Sequence, residues 1–124
     1  MSNERRRHQR FNGKEGAYAA LMRPDHSFDL GKIVDISKGG VCISYLATGE
    51  KKPDNTEIKI FGMNGHFIHL DRIRCDVVYD VQTDENMWTV LVTKRCGVRF
   101  RELSDKHQVM LETFIQDFSA GEAV

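Results

Sequence analysis

The sequence lacks the features that mark membrane and secreted proteins. No apolar run approaches the ~20 residues that a membrane-spanning helix requires. The first ten residues are charged and polar with no apolar stretch behind them, so they do not indicate a signal peptide. With 124 residues, 40% of them hydrophobic and 29% charged, the chain has the composition of one soluble globular domain. We therefore expect a cytoplasmic protein that does not insert into membranes.

Close cysteine pairs are also missing. Zinc sites usually contain two cysteines, or a cysteine and a histidine, at a short ligand spacing. Cys42, Cys75 and Cys96 lie far apart in the sequence. His66 and His69 are three residues apart, which in a strand would point their rings to opposite faces. We therefore predict no metal site and interpret the cysteines as buried, reduced thiols.

The sequence contains no signature of a common enzyme class. It has no glycine-rich phosphate loop, no nucleophile elbow and no paired metal-binding carboxylates. Scattered cysteine, histidine and aspartate residues do not form a catalytic triad without a supporting geometry. We therefore expect a protein that is not an enzyme and that carries no cofactor.

The net charge is zero, but it is unevenly distributed. Residues 1–10 carry four arginines and one acid, Glu4, giving +3, so the remaining residues carry −3. This basic arm suggests an anionic partner that the arm itself holds. A nucleic-acid-binding barrel is the less favoured alternative, because Tyr45, Tyr79 and Trp88 are isolated and form no aromatic and basic face. We expect no nucleic acid as a partner.

Short β-type segments separated by turn signals occupy most of the chain. They cover residues 15–22, 28–35, 41–45, 58–60, 66–81, 88–92 and 97–100. In the second segment Phe28, Leu30, Val34 and Ile36 form one alternating set, which predicts a single face of a strand.

The segment 66–81 is preceded by a hairpin signal, Asn64 and Gly65. Its alternation changes register, so we predict a bend or bulge near Asp71 and Arg72. Its second half alternates strictly through Ile73, Cys75, Val77, Tyr79 and Val81.

The end of the chain changes to helical spacing. The apolar stripe consists of Leu103, His107, Met110, Leu111, Phe114, Ile115 and Phe118. Ser104 with Asp105 predicts an N-cap, and Gly121 predicts a helix stop. The predicted fold is mainly β: a small six- to seven-stranded antiparallel barrel with one C-terminal helix that plugs an open end or packs beside it. The expected boundaries are a flexible basic arm at 1–11, a barrel at 12–103 and a helix at 104–119 of the same domain.

Two short motifs lie at opposite ends of the first predicted strands. Arg6 and Arg10 fit the pattern Arg-x-x-x-Arg. Asp35, Ser37 and Gly40 fit the pattern Asp-x-Ser-x-x-Gly. Taken singly, a run of arginines is usually a solvated tail and an Asp-x-Ser turn usually binds no ligand.

Together with the strand Cys96–Phe100 and the helix behind it, the two motifs resemble the PilZ domain, the main family of receptors for the bacterial second messenger cyclic di-GMP. The resemblance covers nearly the whole chain. It implies a barrel with a C-terminal helix and a ligand held by the residues of both motifs. Those residues are Arg6, Arg10, Asp35, Ser37 and Gly40.

The chemistry of these residues suits a ligand with two phosphates and two guanines. A guanidinium group can bind phosphate oxygens, bind guanine O6 and N7, or stack on a base. The carboxylate of Asp35 can accept hydrogen bonds from guanine N1–H and N2–H. The hydroxyl of Ser37 can serve a phosphate or the turn backbone, and Gly39 and Gly40 let the backbone come close or adopt positive φ.

Three further residues are candidate ligand contacts. The family resemblance implies that the residue before the first motif arginine influences how many ligands bind, and Arg5 there suggests an intercalated cyclic di-GMP dimer. Arg7 is an additional candidate cation. Tyr79 could stack on a guanine, with an ordinary barrel-wall aromatic as the alternative.

The resemblance also implies a switch. Without ligand the arm has few apolar residues to bury and should be mobile. Ligand would order it and change a surface that an effector protein reads, in the control of motility, exopolysaccharide synthesis or biofilm formation. The alternative is a ligand-independent PilZ-like interaction module, against which the completeness of both motifs counts.

Overall fold

The computed structural model describes residues 8–47, 56–63, 65, 67–83 and 92–123. The arm residues 1–7, Asn64 of the hairpin signal, His66 and Trp88 lie outside these ranges. Within them the elements, in chain order, are β1 (Phe11–Gly13), β2 (Ala17–Met22), β3 (Phe28–Ile36), β4 (Gly40–Ala47), β5 (Glu57–Met63), β6 (Phe67–Gln82), β7 (Val92–Phe100), α1 (Asp105–Phe118) and β8 (Ser119–Glu122).

Six strands close into an antiparallel barrel in the order β2-β5-β6-β7-β4-β3, and pairing of β2 with β3 completes the ring. The predicted fold, a small antiparallel barrel followed by one helix, is confirmed. Two short strands lie outside the ring, because β1 pairs with β3 on one side and with β8 on the other. The sequence did not predict β8.

The interior of the barrel and one face of the helix form a single core. The strand residues of this core are Ala17, Ala19, Leu21, Ile33, Ile36, Val41, Ile43, Tyr45, Ile58, Ile60, Leu70, Ile73, Cys75, Cys96 and Val98. From α1, Leu111, Phe114, Ile115 and Phe118 join them, so the predicted helical stripe is the buried face. The ring of Phe118 lies on Gly62 of β5, where an added Cβ would come within 2.5 Å of it.

The helix begins as predicted and ends earlier than predicted. Ser104 is its N-cap, and the Ser104 hydroxyl accepts a hydrogen bond from the backbone N–H of His107 at 3.0 Å. The expected stop at Gly121 is wrong. The helix ends at Phe118 and the chain passes directly into β8, because pairing with β1 satisfies the backbone there.

The predicted bulge in β6 is confirmed. Leu70 pairs with Ile60 and Ile73 with Ile58, so Asp71 and Arg72 together face one residue of β5. Arg72 has a φ of 53°, which accommodates the extra residue. The bulge restores inward alternation on both halves of the strand.

The predicted single face in β3 is wrong. Phe28 and Leu30 are 57% and 54% exposed, whereas Ile33 and Ile36 are buried. The reason is a bulge at Val34, which has no opposite residue because Ile33 pairs with Ile43 and Asp35 pairs with Cys42. One inserted residue reverses the order of the faces along a strand.

A pair of opposite charges is buried inside the barrel where β4 ends and β7 begins. The Lys94 ammonium lies 2.5 Å from the Asp80 carboxylate, and their side chains are 10% and 3% exposed. The Tyr45 hydroxyl donates a hydrogen bond to the same carboxylate at 2.6 Å. Burial, followed by this hydrogen bond and the nearby charge, raises the pKa of Tyr45.

All three cysteines are free and buried, as predicted. Burial raises the pKa of Cys75 and of Cys96 to about 12. Among the described residues, no three potential metal ligands come together. The described part of the chain also holds no helix with the length and apolar character needed to cross a bilayer.

Candidate functional site

The turn between β3 and β4 is organised by Ser37. Its side-chain oxygen accepts hydrogen bonds from the backbone N–H groups of Gly39 at 3.0 Å and Gly40 at 3.2 Å. The Ser37 N–H donates to the Gly40 carbonyl at 2.9 Å. Of the two roles predicted for the Ser37 hydroxyl, the structure shows the bond to the turn backbone. This serine therefore sets the shape of the turn.

Close backbone approach explains both glycines of the turn. A Cβ on Gly40 would lie 2.2 Å from the carbonyl oxygen of Val98 on β7. A Cβ on Gly39 would lie 2.7 Å from the ring of His8. Neither glycine has a positive φ, so the alternative of a left-handed turn position is not observed.

Arg10 and Asp35, one residue from each motif, form an ion pair. Arg10 Nη1 donates to Asp35 Oδ1 at 3.0 Å, and the two side chains are 37% and 20% exposed. Strand β1 follows Arg10 directly and pairs Asn12 with Asp35. On the far side of β1, the N–H of Ala123 donates to the Arg10 carbonyl at 2.9 Å. Neighbouring strands thus hold Arg10 beside the turn.

Two bulges aim the side chains of Asp35 and Tyr79 at the outer surface. In an unbroken strand each would share the inward face of Ile33 or Val77. The extra residue Val34 turns Asp35 outward, because Asp35 then pairs with Cys42. Val78 has the same effect in β6, where Val77 pairs with Val98 and Tyr79 with Gly97. The strict alternation predicted through Tyr79 and Val81 is therefore wrong beyond Val77.

These two bulges create one row of residues that face the outside of the barrel on four adjacent strands. It runs from Tyr79 on β6 through Gly97 on β7 and Cys42 on β4 to Asp35 on β3. The Tyr79 ring lies over Gly97, where an added Cβ would come within 2.3 Å of a ring carbon. Its hydroxyl donates to the Cys42 sulfur at 3.1 Å. The ring is therefore held against the sheet.

The chemistry of this contact keeps both groups protonated. Burial and the hydrogen bond with Cys42 raise the pKa of Tyr79 to about 12. Burial also raises the pKa of the Cys42 thiol, although the bond from Tyr79 opposes the shift. The tyrosine thus presents a neutral ring at this surface.

A cleft of about 590 Å³ lies over one end of this row. This volume falls within the roughly 300–1,000 Å³ range of small-molecule sites. Its walls are His8, Arg10, Ser37, Gly39, Gly40, Val41, Val78, Tyr79, Gly97, Val98, Arg99 and Phe100. Backbone of the turn, a tyrosine ring and two guanidinium groups therefore face one volume.

A smaller cleft of about 360 Å³ adjoins the first and shares His8, Gly39 and Phe100 with it. Its other side is α1. An ion pair between Lys38 and Glu112, 3.1 Å apart and exposed, joins the turn to the helix. The two clefts together surround the motif turn.

The sequence model of the PilZ domain matches residues 4–117. The chain belongs to the PilZ domain family. No curated protein sequence matches it.

Solved PilZ structures share the fold. The structure described as the PilZ domain of YcgR from Escherichia coli with c-di-GMP is 16% identical, with a TM-score of 0.64 over 91% of this chain and 90% of that one. Longer YcgR from Escherichia coli in complex with c-di-GMP is 17% identical, with a TM-score of 0.64 over 91% and 45%. MrkH, described as a c-di-GMP-dependent transcription regulatory factor, is 18% identical, with a TM-score of 0.54 over 90% and 50%. The present chain thus spans about half the length of these two longer proteins.

The structure brings together most of the PilZ residues singled out in the sequence. Arg10, Ser37, Gly39, Gly40 and Tyr79 line the larger cleft, and Asp35 is bonded to Arg10 at its edge. The predictions for Arg5, Arg6 and Arg7 fall outside the described residues. The ligand-binding role of all these residues stays a prediction.

Sequence reasoning missed seven residues that line the cleft: His8, Val41, Val78, Gly97, Val98, Arg99 and Phe100. Two of them carried a signal. His8 lies between the two motif arginines, and Arg99 follows Gly97 by two residues, which places both on one face of β7. Val78 could not be found, because its exposure depends on the bulge that it forms.

Proposed function

We propose that this PilZ domain is a receptor, not an enzyme, that binds cyclic di-GMP in the larger cleft. The observation that supports this most directly is the ion pair between Arg10 and Asp35, which joins the two motifs at the edge of the cleft. Arginine offers a planar fork for phosphate or guanine, and aspartate offers two acceptors for guanine N–H groups. A guanine nucleotide with phosphates is complementary to both.

The ion pair also suggests how the ligand enters. A phosphate can replace the Asp35 carboxylate as the partner of Arg10, which frees Asp35 for guanine N1–H and N2–H. The side chain of Arg99 is largely exposed and lies 3.9 Å from Asp76, so a second arginine is available in the lining of the same cleft. Both contacts would be charge-assisted, the stronger class of hydrogen bond.

The Tyr79 ring provides an apolar wall. It is 37% exposed, and contacts with Gly97 and Cys42 hold it in place. A guanine base could stack on its free face, since every base presents a π-face to an aromatic ring. This favours the ligand-contact role over that of an ordinary wall residue.

The arm completes the proposed mechanism. We propose that residues 1–7 carry Arg5, Arg6 and Arg7 over the ligand beside Arg10, with Arg5 favouring an intercalated dimer. The flexible arm predicted at 1–11 is shorter than expected, because Phe11 lies in β1 and the Arg10 carbonyl accepts a hydrogen bond from the N–H of Ala123. Ordering of the arm would change a surface that an effector protein reads in the cytoplasm, in motility, exopolysaccharide or biofilm control. The solved relatives support the ligand, because YcgR is described in complex with c-di-GMP and MrkH as dependent on it.

Calorimetric titration with cyclic di-GMP tests the proposal. Arg10→Ala and Arg6→Ala should each weaken binding by about ten- to a hundredfold, since a hydrogen bond to a charged group contributes about 1.5–3 kcal/mol. Arg74→Ala is the matched control, because Arg74 is exposed on β6 and outside the cleft. A ligand-to-protein ratio near two supports the intercalated dimer, and a ratio near one rejects it.

Asp35→Ala tests the guanine contact. It should reduce affinity for cyclic di-GMP more than for cyclic di-AMP, because only guanine offers the N1–H and N2–H pair. Equal losses would contradict this role. If the wild-type protein shows neither heat nor a rise in melting temperature with cyclic di-GMP, the ligand-independent interaction module becomes the better interpretation.

A further inference from the structure

The imidazole of His8 occupies the junction of the two clefts. Its ring packs on Gly39, the fifth residue of the motif turn, while Arg10 pairs with Asp35, the first. His8 lines the larger cleft together with Arg10 and also lines the smaller cleft. Two side chains of one segment thus hold the turn from opposite ends, and both face the volume proposed for the ligand.

Charged residues from several elements line the two clefts together with His8. They are Arg10 on its own segment, Lys38 on the turn, Arg99 on β7 and Glu112 on α1. Each of the three cations is paired with a carboxylate: Lys38 with Glu112 at 3.1 Å, Arg10 with Asp35 at 3.0 Å and Arg99 with Asp76 at 3.9 Å. The fixed charges around the imidazole are therefore balanced, and a dianion in the larger cleft would add the negative charge that favours its protonated form.

We propose that His8 is a ligand-contacting residue that takes up a proton when cyclic di-GMP binds. This inference rests on the proposed function of the cleft. The imidazole gains the proton from solvent, and its N–H then donates a charge-assisted hydrogen bond to a phosphate oxygen. Histidine changes charge between about pH 5 and 8, so binding is tighter at the acidic end of this range.

Titration calorimetry in buffers of different ionisation enthalpy measures the proton directly. At one pH near neutrality, the wild-type binding enthalpy should vary with the buffer and give an uptake of up to about one proton per His8. His8→Gln should abolish this uptake and weaken binding at about pH 6 by roughly three- to tenfold, with little effect at about pH 8. His107→Gln, on α1 and outside both clefts, is the matched control and should behave as wild type.

A second variant separates proton uptake from stacking. His8→Phe keeps a ring on Gly39 but has no N–H, so it should bind as weakly as His8→Gln at about pH 6. Full affinity of His8→Phe at that pH would overturn the phosphate contact. Wild-type binding without a buffer-dependent enthalpy, or uptake that survives in His8→Gln, would also overturn the inference and leave the proposed function intact. Failure of the wild type to bind at all would instead refute the proposed function.

Discussion

Single inserted residues decide which side chains reach the cleft. Val34 and Val78 have no cross-strand counterpart, and each turns the next residue to the outer surface. Asp35 and Tyr79 therefore share one row although they lie on strands that do not touch. Bulges are frequent beside functional sites because they redirect a side chain without changing the strand order.

The Tyr79 ring gives a prediction at the same scale. Gly97→Ala places a Cβ where the ring now lies, 2.3 Å from its nearest carbon, so the ring must leave the sheet. We expect cyclic di-GMP affinity to fall by about five- to tenfold, the lower part of the range for loss of base stacking. Titration of the purified variant measures this.

A double-mutant cycle assigns that loss to the ring. Tyr79→Ala should weaken binding to a similar extent, and adding Gly97→Ala to it should cost nothing further. Tyr79→Phe keeps the ring and removes only the bond to Cys42, so it should bind nearly as wild type. Additive losses in the double variant would show that Gly97 acts independently of Tyr79.

At the scale of elements, β8 supports the segment that carries Arg10. It lies beyond residues 4–117, the span matched by the family. It pairs with β1, and the N–H of Ala123 bonds to the Arg10 carbonyl at 2.9 Å. Because β1 is only three residues long, the pairing on this second edge should reduce the freedom of Arg10 before ligand binds. Preorganisation of this kind improves affinity by lowering the ordering cost.

Removing one donor tests this role of β8. Ala123→Pro, at the residue directly after β8, deletes the N–H that bonds to the Arg10 carbonyl. We expect cyclic di-GMP to bind about two- to tenfold more weakly, as for the loss of one neutral hydrogen bond, with little change in melting temperature. Ala123→Ser keeps the N–H and should therefore bind with wild-type affinity. Equal affinity of the proline and serine variants would contradict the positioning role.

At the scale of the whole molecule, the buried pair of Asp80 and Lys94 makes the barrel sensitive to single substitutions. Asp80→Asn leaves the Lys94 ammonium without a compensating charge inside the core. Breaking a buried pair in this way typically costs about 3–5 kcal/mol in the free energy of unfolding. Urea denaturation followed by circular dichroism measures this loss.

Replacing both charges is the control for that experiment. The double variant Asp80→Leu with Lys94→Met should recover most of the stability, because an apolar pair of similar volume avoids the desolvation penalty. A double variant less stable than Asp80→Asn would show that the ion pair itself stabilises the barrel. The hydrogen bond from Tyr45 is lost in that double variant and limits the recovery.

The cysteines predict how stability depends on alkaline pH. The unfolded thiol has a pKa of 9.0, whereas Cys75 and Cys96 keep their protons up to about 12 in the barrel. The unfolded chain therefore loses protons first, and the free energy of unfolding should fall as the pH rises from 9.0 towards 12. Urea denaturation across this window measures the fall, and Cys96→Val should make it shallower.

Thiol reactivity checks the same burial independently. The three cysteines should not react with a thiol reagent in the native protein at neutral pH, because the thiolate is the reactive form and burial disfavours it. All should react after denaturation. Fast reaction of any one in the native state would contradict the burial of that residue.

Local patterns in the sequence determined the architecture and pointed to the two motifs that border the cleft. Alternating apolar residues indicated the strands, and the change of register at Asp71 and Arg72 indicated a bulge. Helical spacing with a serine N-cap indicated α1. The resemblance to the PilZ domain identified Arg10 and Asp35 as members of two motifs. These features were readable because each depends on residues close together in the chain.

Only the tertiary structure decided where those side chains point. The period of two in a strand predicts direction until an inserted residue breaks it, and the breaks at Val34 and Val78 depend on pairing with a neighbouring strand. The pairing of β8 with β1 likewise satisfies backbone groups across a long separation in sequence. Cross-strand hydrogen bonds select these registers, and no local propensity encodes them.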